Sequence, residues 1–132
     1  MAYKLLVVDD DEQIADMLKE KLTQEGYEVC LAYDGEEALK KVKEFDPDVV
    51  LLDLMLPKMN GYEVLREIRQ KFTDKWRPVI ILSGKTELES VKMSYNLEAD
   101  HYLTKPCSMD NILRGIRIML SLIPIRKGKD EK

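Results

Sequence analysis

The sequence predicts an α/β fold, a doubly wound sheet of five parallel strands with helices on both of its faces. Two observations support this prediction. Short runs of consecutive apolar residues, typical of strands that are buried on both faces, recur along the chain. Between these runs, apolar residues repeat every three or four positions, which is the spacing of the core-facing side of a helix. Because strand and helix alternate five times, we expect parallel strands joined by right-handed crossovers.

The first half of the chain contains three predicted strands and two predicted helices. The strands cover residues 4–8, 27–32 and 49–52, and the helices cover residues 12–25 and 36–45. Gly26 ends the first helix, since glycine commonly follows the last helical residue. Asp34 and Gly35 form a turn before the second helix. Pro47 leads into the third strand, an apolar run that ends at the carboxylate of Asp53.

The second half continues the alternation. A loop rich in proline, asparagine and glycine covers residues 54–61, and then come a helix at 62–72, a strand at 78–82, a helix at 86–96 and a strand at 101–103. Thr86 caps the fourth helix, with Glu89 completing a capping box. Ser108 caps the last helix, and Pro124 is expected to end it.

Length and composition indicate one soluble domain. The chain has 132 residues, of which 45% are hydrophobic and 35% charged. We expect the domain to cover residues 1–122, with residues 123–132 as a charged tail or linker stub. No apolar run approaches the roughly 18 residues that a membrane span needs. Residues 1–8 lack the features of a signal peptide, so a cytoplasmic location is expected.

Charge and cysteine content exclude other classes. The net charge of −4 argues against a domain that binds nucleic acid, which would need a basic face. The two cysteines, Cys30 and Cys107, are too few and too far apart to indicate a disulfide scaffold or a zinc site. We expect two reduced thiols.

Acidic residues follow two of the predicted strands. Five strands suit the flavodoxin-like order 2-1-3-4-5, in which strands 1 and 3 are neighbours. Asp9 and Asp10 after strand 1 would therefore lie close to Asp53 after strand 3. A strand-terminal aspartate is more often a cap or a turn residue, but three clustered carboxylates repel one another, and a divalent cation relieves the repulsion. Oxygen ligands without histidine or cysteine favour Mg²⁺.

Two further side chains are predicted at the same edge of the sheet. Ser83 ends the fourth strand with a hydroxyl, and Lys105 follows the fifth strand with a positive charge that suits phosphate oxygens. Each residue alone is more often a turn former or a surface residue. Together with Mg²⁺ and the Asp53 carboxylate, which can accept a phosphoryl group as an acyl phosphate, they indicate phosphoryl transfer.

These motifs, with their flanking residues, resemble the receiver domain of two-component response regulators, in particular single-domain chemotaxis regulators. The resemblance covers residues 3 to 122 and rests on the segments at 7–10, 47–53, 55–62, 78–84 and 99–106. It departs from the family where Glu98 replaces a common glycine and His101 a common acidic residue.

The resemblance implies a role for each site residue. Asp53 would take a phosphoryl group from a histidine of a sensor kinase or phosphotransfer protein. Mg²⁺ would be held by Asp10, Asp53 and the backbone carbonyl of Met55, with Asp9 helping directly or through water. Ser83 and Lys105 would each contact a phosphoryl oxygen.

The resemblance also implies a switch and a docking surface. The Lys105–Pro106 peptide would be cis, and Tyr102 would turn from exposed to buried when Ser83 is drawn inward. The face of the fourth helix, the fifth strand and the fifth helix would signal to a target or to a fused output domain. Ile14, Met17 and Pro106 would dock the kinase, although the two helix residues also fit a wide core stripe. We expect a monomer. Dimerisation of the phosphorylated form is left open.

Other classes fit the residues less well. Phosphatases with an aspartate nucleophile expect a second acid two residues later, where this chain has Met55. Flavodoxin-type cofactor proteins need a phosphate loop after strand 1, where Asp9, Asp10 and Asp11 would repel phosphate. A receiver that works without phosphorylation would not need the full set of site residues. We therefore expect a phospho-accepting switch rather than an enzyme with a separate substrate, either standing alone or cut from a longer protein.

Overall fold

The computed structural model describes residues 2–84 and 99–130, with side chains as far as residue 123. The strands are β1 (Lys4–Val8), β2 (Glu28–Ala32), β3 (Val49–Leu52), β4 (Val79–Ser83) and β5 (His101–Thr104). The helices in the described ranges are α1 (Glu12–Gln24), α2 (Gly35–Phe45), α3 (Gly61–Lys71) and α4 (Met109–Asp130). The helix predicted at residues 86–96 lies outside the described residues, so α4 denotes the last helix.

The five strands form one sheet in the order β2-β1-β3-β4-β5, and every neighbouring pair is parallel. This confirms the predicted fold class and strand order. Val8, the last residue of β1, pairs with Ala32 on one side and with Leu52 on the other. The carboxyl ends of these three strands are therefore level, and the residues that follow them emerge at one edge of the sheet.

Each central strand is apolar on both sides because helices cover both faces of the sheet. One face packs against α2 and α3 and forms a core cluster that includes Leu6, Val8, Val50, Leu52, Val64 and Ile68. The other face packs against α1 and α4 with a cluster that includes Leu5, Val7, Leu18, Leu22, Leu51 and Ile116. We call these the α2/α3 cluster and the α1/α4 cluster.

Short polar side chains start the helices next to the carboxyl edge of the sheet. The Asp11 carboxylate accepts hydrogen bonds from the backbone N–H groups of Gln13 and Ile14, at 3.0 and 3.3 Å. Asp34 and Asn60 cap α2 and α3 in the same way. The predicted cap of the last helix is confirmed, since the hydroxyl of Ser108 accepts a hydrogen bond from the N–H of Asn111 at 3.1 Å.

The prediction that Pro124 ends the last helix was wrong. The α4 backbone is helical through Pro124 to Asp130. Proline lacks one backbone N–H and crowds the preceding turn, but helical backbone can continue on both sides of it, usually with a kink. The predicted end of α1 is confirmed by Gly26, which has a φ of 95°.

At the amino edge of the sheet, polar contacts hold the end of α3 to β4 and β5. The Asp100 carboxylate accepts hydrogen bonds from Arg69 at 2.5 Å and from the Trp76 indole at 3.2 Å. It also accepts the N–H of Val79, the first residue of β4, at 2.8 Å.

Among the described residues, no helix is long and apolar enough to cross a membrane.

Candidate functional site

The candidate site lies where β1 and β3 end side by side. Asp9 donates its backbone N–H to the carbonyl of Ala32 at 3.1 Å, and Asp53 donates its N–H to the carbonyl of Val8 at 3.0 Å. Both residues thus extend the hydrogen bonding of the sheet by one position. Both are buried, with exposed fractions of 2% and 6%. Their side chains are held by rigid strands rather than by a mobile loop.

The structure brings Asp9, Asp10 and Asp53 together as predicted. One carboxylate oxygen from each lies within 4.8 Å of the others. Asp10 is exposed, which leaves the cluster open to solvent on one side. A set of three carboxylate oxygens without nitrogen or sulfur suits a hard divalent cation such as Mg²⁺, which also retains several of its waters. The residues present therefore fit the expected metal.

Lys105 bridges the two buried carboxylates. Its Nζ donates to Asp9 Oδ2 at 3.0 Å and to Asp53 Oδ2 at 2.9 Å. Burial lowers the pKa of Lys105, but the hydrogen bonds to Asp53 and Asp9 outweigh it, and the net pKa is raised. Lys105 therefore stays charged at this position.

The pKa of Asp53 is raised, above all because the carboxylate is buried. The hydrogen bonds from Lys105 and from the N–H of Met55 oppose the rise, and the charge of Asp9 adds to it. One lysine thus does not fully compensate two buried carboxylates. An additional positive charge at this edge would favour the ionised form of Asp53.

Ser83 is the last residue of β4, and its exposed fraction is 1%. Its hydroxyl has no hydrogen-bond partner among the residues that the structure describes. Its carbonyl accepts the N–H of Lys105 at 2.8 Å, which fixes the two residues beside each other across β4 and β5. Leaving a buried hydroxyl unpaired costs about 1–3 kcal/mol. A phosphoryl oxygen bound between Ser83 and Lys105 would provide the missing partner.

The loop that follows Asp53 folds back over the site. The N–H of Met55 donates to Asp53 Oδ1 at 3.0 Å, while the Met55 side chain is exposed at the rim. Gly61, at the end of the loop, packs directly on the backbone of the site. A Cβ at this position would lie 2.5 Å from the Cα of Leu54 and 2.7 Å from the carbonyl oxygen of Asp53. Glycine is therefore required at position 61.

The predicted switch and docking residues lie around this edge. Tyr102 is half-buried against the α2/α3 cluster, and its pKa is raised by burial and then by the charge of Asp100. Ile14 packs against the α1/α4 cluster, so it serves the core, whereas Met17 and Pro106 are exposed. The Lys105–Pro106 peptide is cis, which confirms that prediction.

Sequence reasoning missed two features of the site. Asp11 belongs to the acidic run, yet its carboxylate caps α1, and its N–H donates to Asp9 Oδ1 at 2.9 Å. The contact between the loop and α2, where Met59 lies against Gly35, was not predicted either. An aspartate at the start of an amphipathic segment is a recognisable cap signal. No comparable signal marks the contact of Met59.

Comparison with known proteins agrees with this geometry. A family model described as the response regulator receiver domain matches residues 5–117. The receiver domain of Francisella response regulator 1452 is 35% identical, with a TM-score of 0.79 over 89% of this chain and 95% of that chain. The chemotaxis protein CheY4 of Vibrio cholerae is 31% identical, with a TM-score of 0.82 over 90% and 99% of the two chains.

A larger protein shares the fold. NtrX from Brucella abortus is 27% identical, with a TM-score of 0.88 over 98% of this chain, but this chain spans only 30% of that one. The matched family model extends over most of the chain and includes the acidic cluster and the five described strands, apart from Lys4 at the start of β1. This chain therefore belongs to the response regulator receiver domain family of two-component systems.

Proposed function

We propose that Asp53 accepts a phosphoryl group from a phosphohistidine of a sensor kinase or phosphotransfer protein, and that this modification switches the domain between two signalling states. The observation that carries the proposal is the geometry around Asp53. A buried carboxylate is paired with Lys105 and lies at the same strand edge as Ser83, whose buried hydroxyl has no partner among the described residues.

In the proposed reaction, a carboxylate oxygen of Asp53 attacks the phosphorus atom. A bond forms between this oxygen and phosphorus, the bond from phosphorus to the histidine nitrogen breaks, and the imidazole leaves with the bonding electron pair. Oδ1 is oriented by the N–H of Met55 and Oδ2 by Lys105. Both hydrogen bonds favour the ionised, nucleophilic form against the burial that raises the pKa of Asp53.

Lys105 and Ser83 are proposed to hold the phosphoryl oxygens. The Lys105 ammonium already lies 2.9 Å from Asp53 Oδ2, so it can follow the developing negative charge with little movement. Ser83 would donate its hydroxyl hydrogen to a second oxygen. Such groups help most when they are fixed before the reaction, which is the case for side chains at strand ends.

Asp9, Asp10 and Asp53, with the backbone carbonyl of Met55, are the proposed ligands of Mg²⁺. When bound, the metal supplies positive charge that screens the carboxylates from one another and from the incoming phosphoryl group. Support comes from the spacing of the three carboxylates. Burial, with the charge of Asp9, raises the pKa of Asp53, and a cation at this position would oppose that rise.

The proposed output is a change at the face that contains Tyr102. Phosphorylation would draw Ser83 towards the phosphoryl oxygen, and the half-buried ring of Tyr102 would move further inward. This movement would change the face formed by β5, the last helix α4 and the helix predicted at residues 86–96. A partner protein or a fused output domain would bind that face. The exposed residues Met17 and Pro106, beside Ile14, are proposed to contact the kinase. The domain assists its own phosphorylation and dephosphorylation but has no separate substrate.

The test is the intact mass of the protein after incubation with acetyl phosphate, with and without Mg²⁺. We expect the gain of one phosphoryl group in the presence of Mg²⁺, little gain without it, and none in Asp53→Asn. Asp16→Asn, which changes an exposed aspartate of α1, is the matched control and should be modified like the wild type. Lack of modification of the wild type, under conditions that modify another receiver domain, would overturn the proposal.

A further inference from the structure

The loop between Asp53 and α3 contains a strained turn. Lys58 has a φ of 67°, and the N–H of Met59 donates to the carbonyl of Pro57 at 2.7 Å. A hydrogen bond between residues two apart, around a residue with positive φ, defines a rare and strained form of γ-turn. Lysine has no special tolerance for this conformation. Such strain persists only where surrounding contacts hold it in place.

The turn is held by the amino end of α2. Gly35, the first residue of that helix, is buried against Met59. A Cβ at position 35 would lie 2.7 Å from the Cβ and 2.9 Å from the carbonyl oxygen of Met59. Only glycine allows this approach without a shift of the loop. The adjacent Asp34 adds an ion pair with Lys58 at 3.7 Å.

The other parts of the loop are attached to the site itself. Its beginning is tied to Asp53 through the N–H of Met55, and its end through Gly61, whose N–H donates to the carbonyl of Leu54 at 2.9 Å. The middle of the loop therefore rests on α2 while both ends rest on the backbone and carboxylate of the phosphoacceptor strand. A displacement at Met59 would be transmitted over a few residues to Met55.

We propose that Gly35 and Met59 are positioning residues for the magnesium site. Their contact sets the distance of the loop from Asp53, and hence the position of the Met55 carbonyl and N–H. This inference rests on the proposed function, because it takes Met55 as a metal ligand. Helix α2, which contributes no ligand, would thereby control the affinity of the site for Mg²⁺. Residues that orient metal ligands without touching the metal commonly change affinity by about tenfold or more when they are replaced.

A purely structural role for Gly35 predicts a different result. Alanine is a better helix former than glycine, and the crowding of its Cβ against Met59 and Val64 makes it unfavourable here. If the contact mattered for packing alone, Gly35→Ala would lower the melting temperature but would leave the response to Mg²⁺ unchanged. If the contact positions the loop, the variant also needs more Mg²⁺ than the wild type for the same rise in melting temperature.

The test measures the melting temperature of the full chain as a function of Mg²⁺ concentration. A ligand that binds only the folded state raises this temperature in proportion to the logarithm of its concentration above Kd. We expect Gly35→Ala to need roughly ten times more Mg²⁺ than the wild type for the same rise. Met59→Ala keeps the Cβ that faces Gly35 but removes the rest of the side chain, which packs against the α2/α3 cluster and holds the loop there. It should shift the response in the same direction.

Gly26→Ala is the matched control. Gly26 has a φ of 95° and no atom within 4 Å of an added Cβ, so alanine strains the backbone far from the loop. It should lower the melting temperature and keep the wild-type response to Mg²⁺. Asp10→Asn should lose most of the response, which establishes that the wild-type effect comes from the site.

The outcomes separate this inference from the proposed function. If the wild type responds to Mg²⁺ and both loop-contact variants respond at the same concentrations, the positioning role is overturned and the metal site stands. If the wild type itself does not respond, the metal site and this inference are both overturned.

Discussion

At the scale of single residues, the site keeps groups that a stable core would avoid. Asp53 and Asp9 are buried carboxylates that share one lysine, and Ser83 has a buried hydroxyl without a partner in the described part of the chain. Each arrangement reduces stability relative to an apolar or fully paired alternative. All of them lie at one edge of the sheet, where a metal ion and a phosphoryl group would satisfy them.

Ser83→Ala tests this balance between stability and function. Removing a buried hydroxyl that has no partner among the described residues should raise the free energy of unfolding by about 1 kcal/mol, because the cost of burying that hydroxyl disappears. The rate of phosphorylation by acetyl phosphate should fall roughly 100-fold, since one fixed hydrogen-bond donor is lost. Urea denaturation and intact-mass kinetics measure the two effects.

Ser121→Ala is the control for this substitution, because Ser121 is exposed on α4 and its hydroxyl donates to the carbonyl of Ile118. It should change neither quantity much. If Ser83→Ala instead lowers the stability, as the replacement of a buried, hydrogen-bonded serine does, then the Ser83 hydroxyl is not unsatisfied in the folded protein.

The residues of the site could be predicted because each one lies at or just after the carboxyl end of a predicted strand. Once the strand order is known, Asp9, Asp53, Ser83 and Lys105 must emerge near one another. Which aspartate of the acidic run caps a helix and which ones could bind a metal could not be predicted, because both roles use the same residue type. The positive φ of Lys58 could not be predicted either, since lysine rarely adopts it.

At the scale of elements, a second group of charges joins the end of α2 to the connection between α3 and β4. The Arg77 guanidinium is buried, and it donates to Asp46 at 2.6 Å and to Asp74 at 3.0 Å. The hydrogen bond from Arg77 lowers the pKa of Asp74, and the charge of Arg77 adds to this effect. This group lies away from the phosphoacceptor edge and serves the fold.

The lowered pKa of Asp74 predicts a dependence of stability on pH. Because the folded state holds the proton less tightly than the unfolded chain, Asp74 stabilises the fold above its ordinary pKa of 3.8, and this contribution is lost as the pH falls below that value. Asp74→Asn should therefore lower the free energy of unfolding at pH 7. The loss should be less than about 1 kcal/mol, since Asp74 is largely exposed and screened by solvent.

At a pH low enough to protonate Asp74, the variant and the wild type should be equally stable. Urea denaturation across the acid range measures the difference. Asp16→Asn, at an exposed aspartate without an ion pair among the described residues, is the control and should show no such trend. A difference for Asp74→Asn that grows as the pH falls would refute the assignment.

The elements themselves were largely predictable, for two physical reasons. Strands buried on both faces must be continuously apolar, and helices that cover a sheet must be apolar on one side. The error at Pro124 shows where such reasoning fails. Proline excludes one hydrogen bond but does not dictate the conformation of the residues after it, so the helix continues to Asp130.

At the scale of the whole molecule, the doubly wound topology explains why one edge contains all the chemistry. Successive strands are added to the sheet in opposite directions on the two sides of the β1–β3 boundary, which opens a crevice at the carboxyl ends of these two strands, and the acidic cluster lies there. Helices on both faces shield the sheet, while the crevice stays open at Asp10. The topology was predictable from the number and alternation of elements. The exposure of each site residue was not, because it depends on how the loops close over the edge.

The proposed acyl phosphate forms on Asp53 and not on a neighbouring aspartate. Borohydride reduction distinguishes these residues, since it converts a phosphorylated aspartate into homoserine, which peptide mass spectrometry can locate. After treatment with acetyl phosphate and Mg²⁺, we predict homoserine at position 53 and a much lower yield when Mg²⁺ is omitted. Homoserine at position 9 or 10, or no homoserine in a protein that has gained a phosphoryl group, would show that Asp53 does not form the acyl phosphate.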